Sequence, residues 1–414
     1  LLFHKDPLIM NVKILGLALL ACNTAYAFES TKVLPKGVRN LDIRSLYTQT
    51  SKKTDLHGDE VSLAVDLYKP LKFSNILQGE EGLKRTQLNA FMIARGFKET
   101  DTVGNFRASL NAQINVWAPV LAWGITDKIT LAGAMPYYST STDINVGFRS
   151  NEGGDALLRA FEDPAVNYYY AAVEASDKFA NAVGRLNERL EKNGYEPLDS
   201  WNQSGWGDFT LAAKALVQEG PVLRTSTTFG FNAPTGRTDN PNILSDLPYG
   251  DGQWDLFAQL TLDQIISKNF FINQFVKYTN QLPDRKEMRW KTFDETVEAT
   301  RHQTDFKLGD KVDAGISFQY EQDSGLNAGL GGLYYRKFGD RYDVDIVDVK
   351  NELKRATDQN ALYWQARLGY STVEAYRRKE FALPMSATIE YRKQYESQNL
   401  AVTDFTQIDL NLFF

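Results

Sequence analysis

Ten side chains in this sequence are candidates to line an interior: Arg107, Asn111, Gln113, Lys214, Arg224, Asp255, Lys277, Asp313, Arg367 and Glu390. Each stands on the polar side of a segment in which apolar and polar residues alternate, so each is expected to face a shared lumen. Asn115, Asp263, Lys311, Glu321, Gln365, Arg392 and Asp409 fall on the same side. Both signs of charge are interspersed. Such a set can pair internally, forming a hydrogen-bonded network that fills and stiffens the interior, because charges away from water must be paired or wet. It can equally line a polar path for a solute. Residue types alone leave both readings open.

Catalytic chemistry has little to stand on. Of three histidines, only His57 and His302 lie beyond the N-terminal leader. His302 has Asp305 three residues on, and His57 has Asp59 and Glu60, but a general base needs its partner in reach. Histidines in loops are ordinarily solvated. GxSxG, HExxH, phosphate-loop and GxGxxG patterns are all absent. The acidic run Asp343, Asp345, Asp348 and the loop Asp239–Asn242 lack the spacing of a calcium loop. No catalytic residue, metal site or cofactor is therefore expected. The single cysteine, Cys22, falls in the leader, which excludes a disulfide framework and a cysteine-based metal site.

The elements that position these groups are strands. From Phe106 to Val120 every even position is apolar, while Arg107, Ser109, Asn111, Gln113 and Asn115 hold odd ones. The pattern returns in 129–138, 209–217, 223–231, 254–262, 270–280, 312–320, 326–335, 362–370, 383–391 and 402–414. Short polar turns alternate with connections of up to about sixty-five residues. That asymmetry is the rule of short periplasmic turns and long external loops in a transmembrane barrel. A soluble sandwich would explain the alternation but not the turn lengths. The fold class is thus all-β, a transmembrane antiparallel up-and-down barrel. Eleven strands follow Phe106, so 28–105 must add one or three, and fourteen is the expected total, with twelve the alternative. Arg39–Tyr47 is one, and Val61–Tyr68 and Leu83–Phe97 are candidates for the others, the latter reading equally well as a helix.

Both ends of the chain agree with an outer-membrane location. Met10–Lys13 is a short basic start, Ile14–Ala21 an apolar run and Ala25-Tyr26-Ala27 a small-residue exit. Residues 1–27 thus read as a signal peptide, with a mis-called start before Met10. At the other end Ile408, Leu410, Leu412 and Phe414 alternate with Gln407, Asp409 and Asn411. Such a strand suits lipid on one side, and its final Phe414 is the expected handle for the barrel assembly machinery. Without the leader the chain carries 44 basic and 51 acidic residues, a balance that argues against nucleic acid. Its expected partners are outer-membrane lipid, lipopolysaccharide and a small-molecule solute. Residues 28–105 are assigned to the first strand or strands and a candidate plug, and 106–414 to the barrel.

Residues 151–204 interrupt the alternation. Asp163-Pro164 suits a helix start, and Phe179, Val183, Leu186 and Leu190 then recur at helical spacing up to Gly194. Strand parity puts this insertion outside the cell. Its apolar stripe either packs on neighbouring loops or, with Tyr168, Tyr169, Tyr170 and Phe179, captures a greasy ligand.

Three glycine-bearing segments carry a family likeness: Gly205-Trp-Gly207-Asp208, Pro234-Thr-Gly236 and Leu247-Pro-Tyr-Gly250-Asp-Gly252. Their order resembles outer-membrane proteins named for the meta-cleavage pathway of phenol degradation, a group akin to the long-chain fatty acid transporter. Ala122–Leu131 and Pro136 are similar to that group as well. The resemblance covers about residues 105–280 and implies uptake of small hydrophobic or aromatic compounds. The expected function is accordingly an outer-membrane channel for such solutes and not an enzyme. An outer-membrane hydrolase, or a receptor barrel with a blocked lumen, is the alternative.

Overall fold

The structure, a computed structural model, describes residues 29–78, 82–163, 181–290 and 300–414. The expected signal peptide lies outside these residues. Twelve antiparallel strands form the wall: β1 (Arg39–Thr50), β2 (Thr102–Thr126), β3 (Ile129–Ala134 and Tyr137–Ser150), β4 (Trp201–Trp206 and Phe209–Glu219), β5 (Leu223–Ala233), β6 (Asp255–Ile265), β7 (Phe270–Gln281), β8 (Lys311–Glu321), β9 (Leu326–Lys337), β10 (Gln359–Ser371), β11 (Met385–Gln398) and β12 (Asp404–Phe413). Each pairs with its neighbour in sequence, and β1 pairs with both β2 and β12. The sheet therefore closes on itself, leaving no unpaired edge in hydrocarbon.

Fourteen strands were expected and twelve are found. Residues 28–105 give one barrel strand, β1. Glu60–Ser62 pairs only with Lys52–Thr54 in a short hairpin. Leu83–Phe97 is mostly helix, and its buried residues Leu88 and Met92 stand four positions apart, on one helical face. Helices α1 (Phe73–Gln78), α2 (Gly82–Ala94) and α3 (Glu152–Phe161) share one buried cluster, in which Leu88 and Met92 meet Phe73, Leu77, Leu157 and Phe161. The Asn151 side chain starts α3 by accepting the Gly154 N–H at 3.0 Å.

A belt of half-exposed side chains marks where lipid begins and ends. Tyr47, Trp117, Trp206, Trp254, Tyr278, Tyr334, Trp364 and Tyr391 lie toward one end, and Trp123, Tyr320, Tyr370 and Phe414 toward the other. Leu256, Leu260, Val276, Ile316, Leu330, Leu368, Ile389 and Ile408 fill the band between. Two aromatic girdles around an aliphatic band are what a bilayer selects. Turns at the lower girdle are short, except for residues 372–384, which hold a helical turn at Val373–Arg377.

One run of predicted lumen residues is corrected. Arg107, Asn111 and Gln113, with Asn115, face outward into water. At 25 residues β2 is roughly 80 Å long, about three times the ~25 Å apolar band. Trp117 marks its exit from lipid, next to Tyr137 in register. Beyond that point water lies outside and protein inside, so the polarity of the faces reverses. Ala108, Leu110, Ala112, Ile114 and Val116 pack inward on Leu63, Leu67, Leu190, Tyr195 and Leu198. Leu190 belongs to α4 (Ala182–Lys192), whose stripe meets this wall through Leu186 as well.

The band makes a direct prediction. Leu330→Arg, mid-belt and 62 % exposed, is expected to cost about 2–4 kcal/mol, and Ser109→Arg, above the belt, within about 0.5 kcal/mol. Urea titrations of both variants in lipid vesicles would check the contrast, and equal costs would refute the assigned band.

Candidate functional site

The lower half of the lumen holds a chamber of about 900 Å³. Inward alternation gives it dissimilar walls. Val116, Ala118 and Val120 on β2, Ala132 and Ala134 on β3, and Ala212 on β4 make a smooth apolar side. Adjoining it through β1 runs a ladder of opposite charges. Arg367 on β10 is in register with Glu390 on β11, and Asp409 on β12 with Arg44 on β1. Arg44 Nε donates to Asp42 at 2.6 Å, and Arg367 to Gln319 Oε1 at 2.8 Å.

The N-terminal segment 29–36 forms part of the floor. It runs inside the lower mouth, at the end with the short turns, from β2 round to β8, held by bonds to five elements. Lys36 N–H donates to Asp127 at 2.9 Å and Leu34 N–H to Thr130 Oγ1 at 2.7 Å. Thr31, fully buried, donates its hydroxyl to Asp263. Lys214 Nζ reaches the Ser30 carbonyl at 2.7 Å, and Lys32 pairs with Glu321 at 2.5 Å. Arg224 also bonds Asp263, at 3.3 Å.

The roof is protein. Two buried clusters fill the upper half of the lumen, at the end with the long loops, one of them built on Phe275, Leu333, Tyr335, Tyr363 and Phe405. In the other, the loop between β5 and β6 drops inward and buries Leu247 and Tyr249. Tyr249 stacks on Tyr138, a chamber residue, with centroids 5.2 Å apart, and shares a 2.9 Å hydrogen bond with Thr140. The Arg237 guanidinium stands 4.8 Å over the Tyr249 ring and grips Asp246 with bonds of 2.6 and 2.7 Å. Burial lowers the Arg237 pKa, and the Asp246 carboxylate more than offsets it, so the group sits above its usual range. Burial also raises the Asp251 carboxyl, with Lys311 pulling against it.

The glycine segments noted in the sequence meet at this roof. Gly236 N–H donates to Asp208 Oδ1 at 2.8 Å. A Cβ on Gly236 or Gly250 would crowd the Asp208 carboxylate, and one on Gly207 the Tyr138 ring. Glycine at these positions lets three chain segments close over one side chain. Arg289 clamps the cap from above. It donates to the carbonyls of Asn193 and Gly194 at 3.1 and 2.8 Å and to Asn242 Oδ1 at 2.7 Å, and lies 4.1 Å over Tyr195.

The predicted residues thus separate into groups. Lys214, Lys277, Arg367 and Glu390 line the chamber. Arg224 joins the floor. Asp255 and Asp313 are buried inward-facing residues near Lys311, whose Nζ lies 3.9 Å from Asp255. Arg107, Asn111 and Gln113 are outside. Tyr168, Tyr169, Tyr170 and Phe179 fall outside the described residues. His57 sits in an exposed turn, and His302 stacks on Trp290 at 3.5 Å in the small sheet above the rim. Sequence reading missed Asp42, Arg44, Tyr138, Phe257 and Tyr249. Extending the alternation of Leu41 and Ile43 by one step would have found the first two.

Comparison with solved structures supports the architecture. An outer membrane channel from Pseudomonas putida F1 superposes with a TM-score of 0.52 at 10 % identity, covering 93 % of this chain and 98 % of that one. It has the fold of an outer-membrane channel. With its lipid belt, this places the chain in the outer membrane. More distant are a FadL homologue of Pseudomonas aeruginosa (TM-score 0.35, 8 % identity, 94 % and 93 % covered) and a toluene transporter of Ralstonia pickettii (TM-score 0.35, 8 % identity, 92 % and 90 % covered). No family model matches the sequence, and no curated protein matches it either.

Tyr249→Ala should remove packing worth about 3–5 kcal/mol from the cap and raise single-channel conductance severalfold in a planar bilayer. Arg289→Ala should act in the same direction through the clamp. Conductance unchanged in both variants would show that this loop is not the barrier.

Proposed function

We propose that this protein is an outer-membrane channel, and not an enzyme, for small solutes with an apolar or aromatic body. The observation that carries the reading is the chamber, with one wall of small apolar side chains inside a barrel whose lumen is otherwise polar or filled. A water-filled pore for ions has no use for such a wall, while a solute with an apolar body gains about 25 cal/mol for each Å² it buries there. Passage then requires the Tyr249 cap to withdraw and the 29–36 segment to shift. Lipopolysaccharide around the upper girdle belongs to the same proposal, as does recognition of β12 and Phe414 by the barrel assembly machinery.

The test is flux. Liposomes carrying the protein should pass benzyl alcohol faster than empty vesicles, and deletion of residues 29–36 should speed it further. Rates equal to those of empty vesicles, in the full chain and in the Tyr249→Ala variant alike, would discard the channel.

A further inference from the structure

One chamber wall carries donors that stand outside the ion pairs of the lumen, although Gln259 Nε2 already donates one bond to Thr261 Oγ1 at 3.0 Å. Lys214 on β4 is in register with Thr228 on β5, Thr228 with Gln259 on β6, and Gln259 with Lys277 on β7. Four inward side chains therefore stand at one level on adjacent strands, a row roughly 14 Å long at ~4.8 Å per strand. All four line the chamber. Thr228 Oγ1 is buried with no hydrogen-bond partner.

The charges of the chamber are unevenly committed. Asp42 is paired with Arg44 at 2.6 Å, Glu321 with Lys32 at 2.5 Å, Glu374 with Arg377 at 2.8 Å and Glu390 with Arg392 at 3.7 Å. Among the described residues neither Lys214 nor Lys277 has a carboxylate within ion-pair distance. Lys214 meets the Ser30 carbonyl, and Lys277 Nζ stands 4.5 Å over the Phe257 ring. Asp313 follows Lys277 in register on β8, beyond bonding distance. With Asp313 buried beside Lys277 and also outside ion-pair distance, this wall sets two ammonium groups against one carboxylate and keeps a positive excess. Phe257 supplies an apolar surface beside it, lying over Gly230, where a Cβ would strike the ring, and near Ala212.

We propose that the row is a binding site for an organic anion with a flat apolar body, an aromatic monocarboxylate of about the size of benzoate. The carboxylate accepts from Lys277 and, along the row, from Gln259, Thr228 or Lys214, and the ring lies on Phe257. Charge-assisted bonds of this kind are roughly twice as strong as neutral ones. A neutral hydrocarbon would leave the ammonium groups unmatched, and an aromatic cation would be repelled. The site names the solute class for the channel proposed above and rests on that reading for its purpose, though not for its binding.

The test separates the two. Benzoate, acetate, benzyl alcohol and benzylamine are titrated into the intact protein in detergent micelles and followed by saturation-transfer NMR. Benzoate should bind, with acetate and benzyl alcohol about tenfold weaker and benzylamine undetected. Lys277→Gln and Lys214→Gln should each weaken benzoate roughly tenfold, a loss of ~1.4 kcal/mol. Lys277→Arg should retain it, and heat-modifiable migration on gels would confirm that each barrel is folded. No benzoate binding, equal binding of benzoate and benzyl alcohol, or undiminished binding in the folded double Gln variant would overturn the site. Benzoate that binds while neither benzoate nor benzyl alcohol crosses liposomes faster than through empty vesicles would leave the site standing and remove the channel.

Discussion

The structure depends on a change of solvent along each strand. Within the lipid belt, hydrocarbon touches the outer face and the lumen can stay polar. Above the belt, water touches the same face and protein occupies the interior. Backbone groups must be paired throughout the belt, which forces closure, and β1 achieves it by bonding both β2 and β12. Side-chain polarity is free to follow the local solvent. This is why β2 carries Trp117, Leu121 and Trp123 outward at its lower end, and Arg107 and Asn111 outward at its upper end. One strand thus serves as membrane wall and as the back of an external core.

That external core closes the lumen. The cap is held by bonds between loops and by aromatic contacts, with Arg237, Asp246, Tyr249 and Arg289 at its centre. The floor is held differently, by single hydrogen bonds from a segment with no regular secondary structure. Local stability of this kind, few buried apolar contacts and many individual polar ones, is what elements that must move have in common. The chamber between them is the part of the lumen that neither closure fills.

Alternation made the barrel legible in the sequence, because period two survives any choice of solvent. Which face is inside does not follow from period alone. Lys214, Lys277, Arg367 and Glu390 were assigned to the lumen by parity within the belt, where that rule applies. Arg107, Asn111 and Gln113 were assigned by the same parity outside the belt, where it reverses, and only the height of Trp117 could have warned of it. The strand count came out at the alternative of twelve, since Leu83–Phe97, which reads as strand or helix, is helical from Gly82 to Ala94. Tyr249 stood inside one of the glycine-bearing segments but was not marked as a lumen residue, and Phe257 gave no signal at all. Their importance comes from a loop folding inward and from a glycine on the next strand.

The N-terminal segment also ties distant parts of the wall together. It precedes β1, the strand that seals the seam to β12, and its Thr31 and Lys32 bond Asp263 on β6 and Glu321 on β8. A few residues without regular structure thus cross-brace the inside of the barrel from the seam to the far strands.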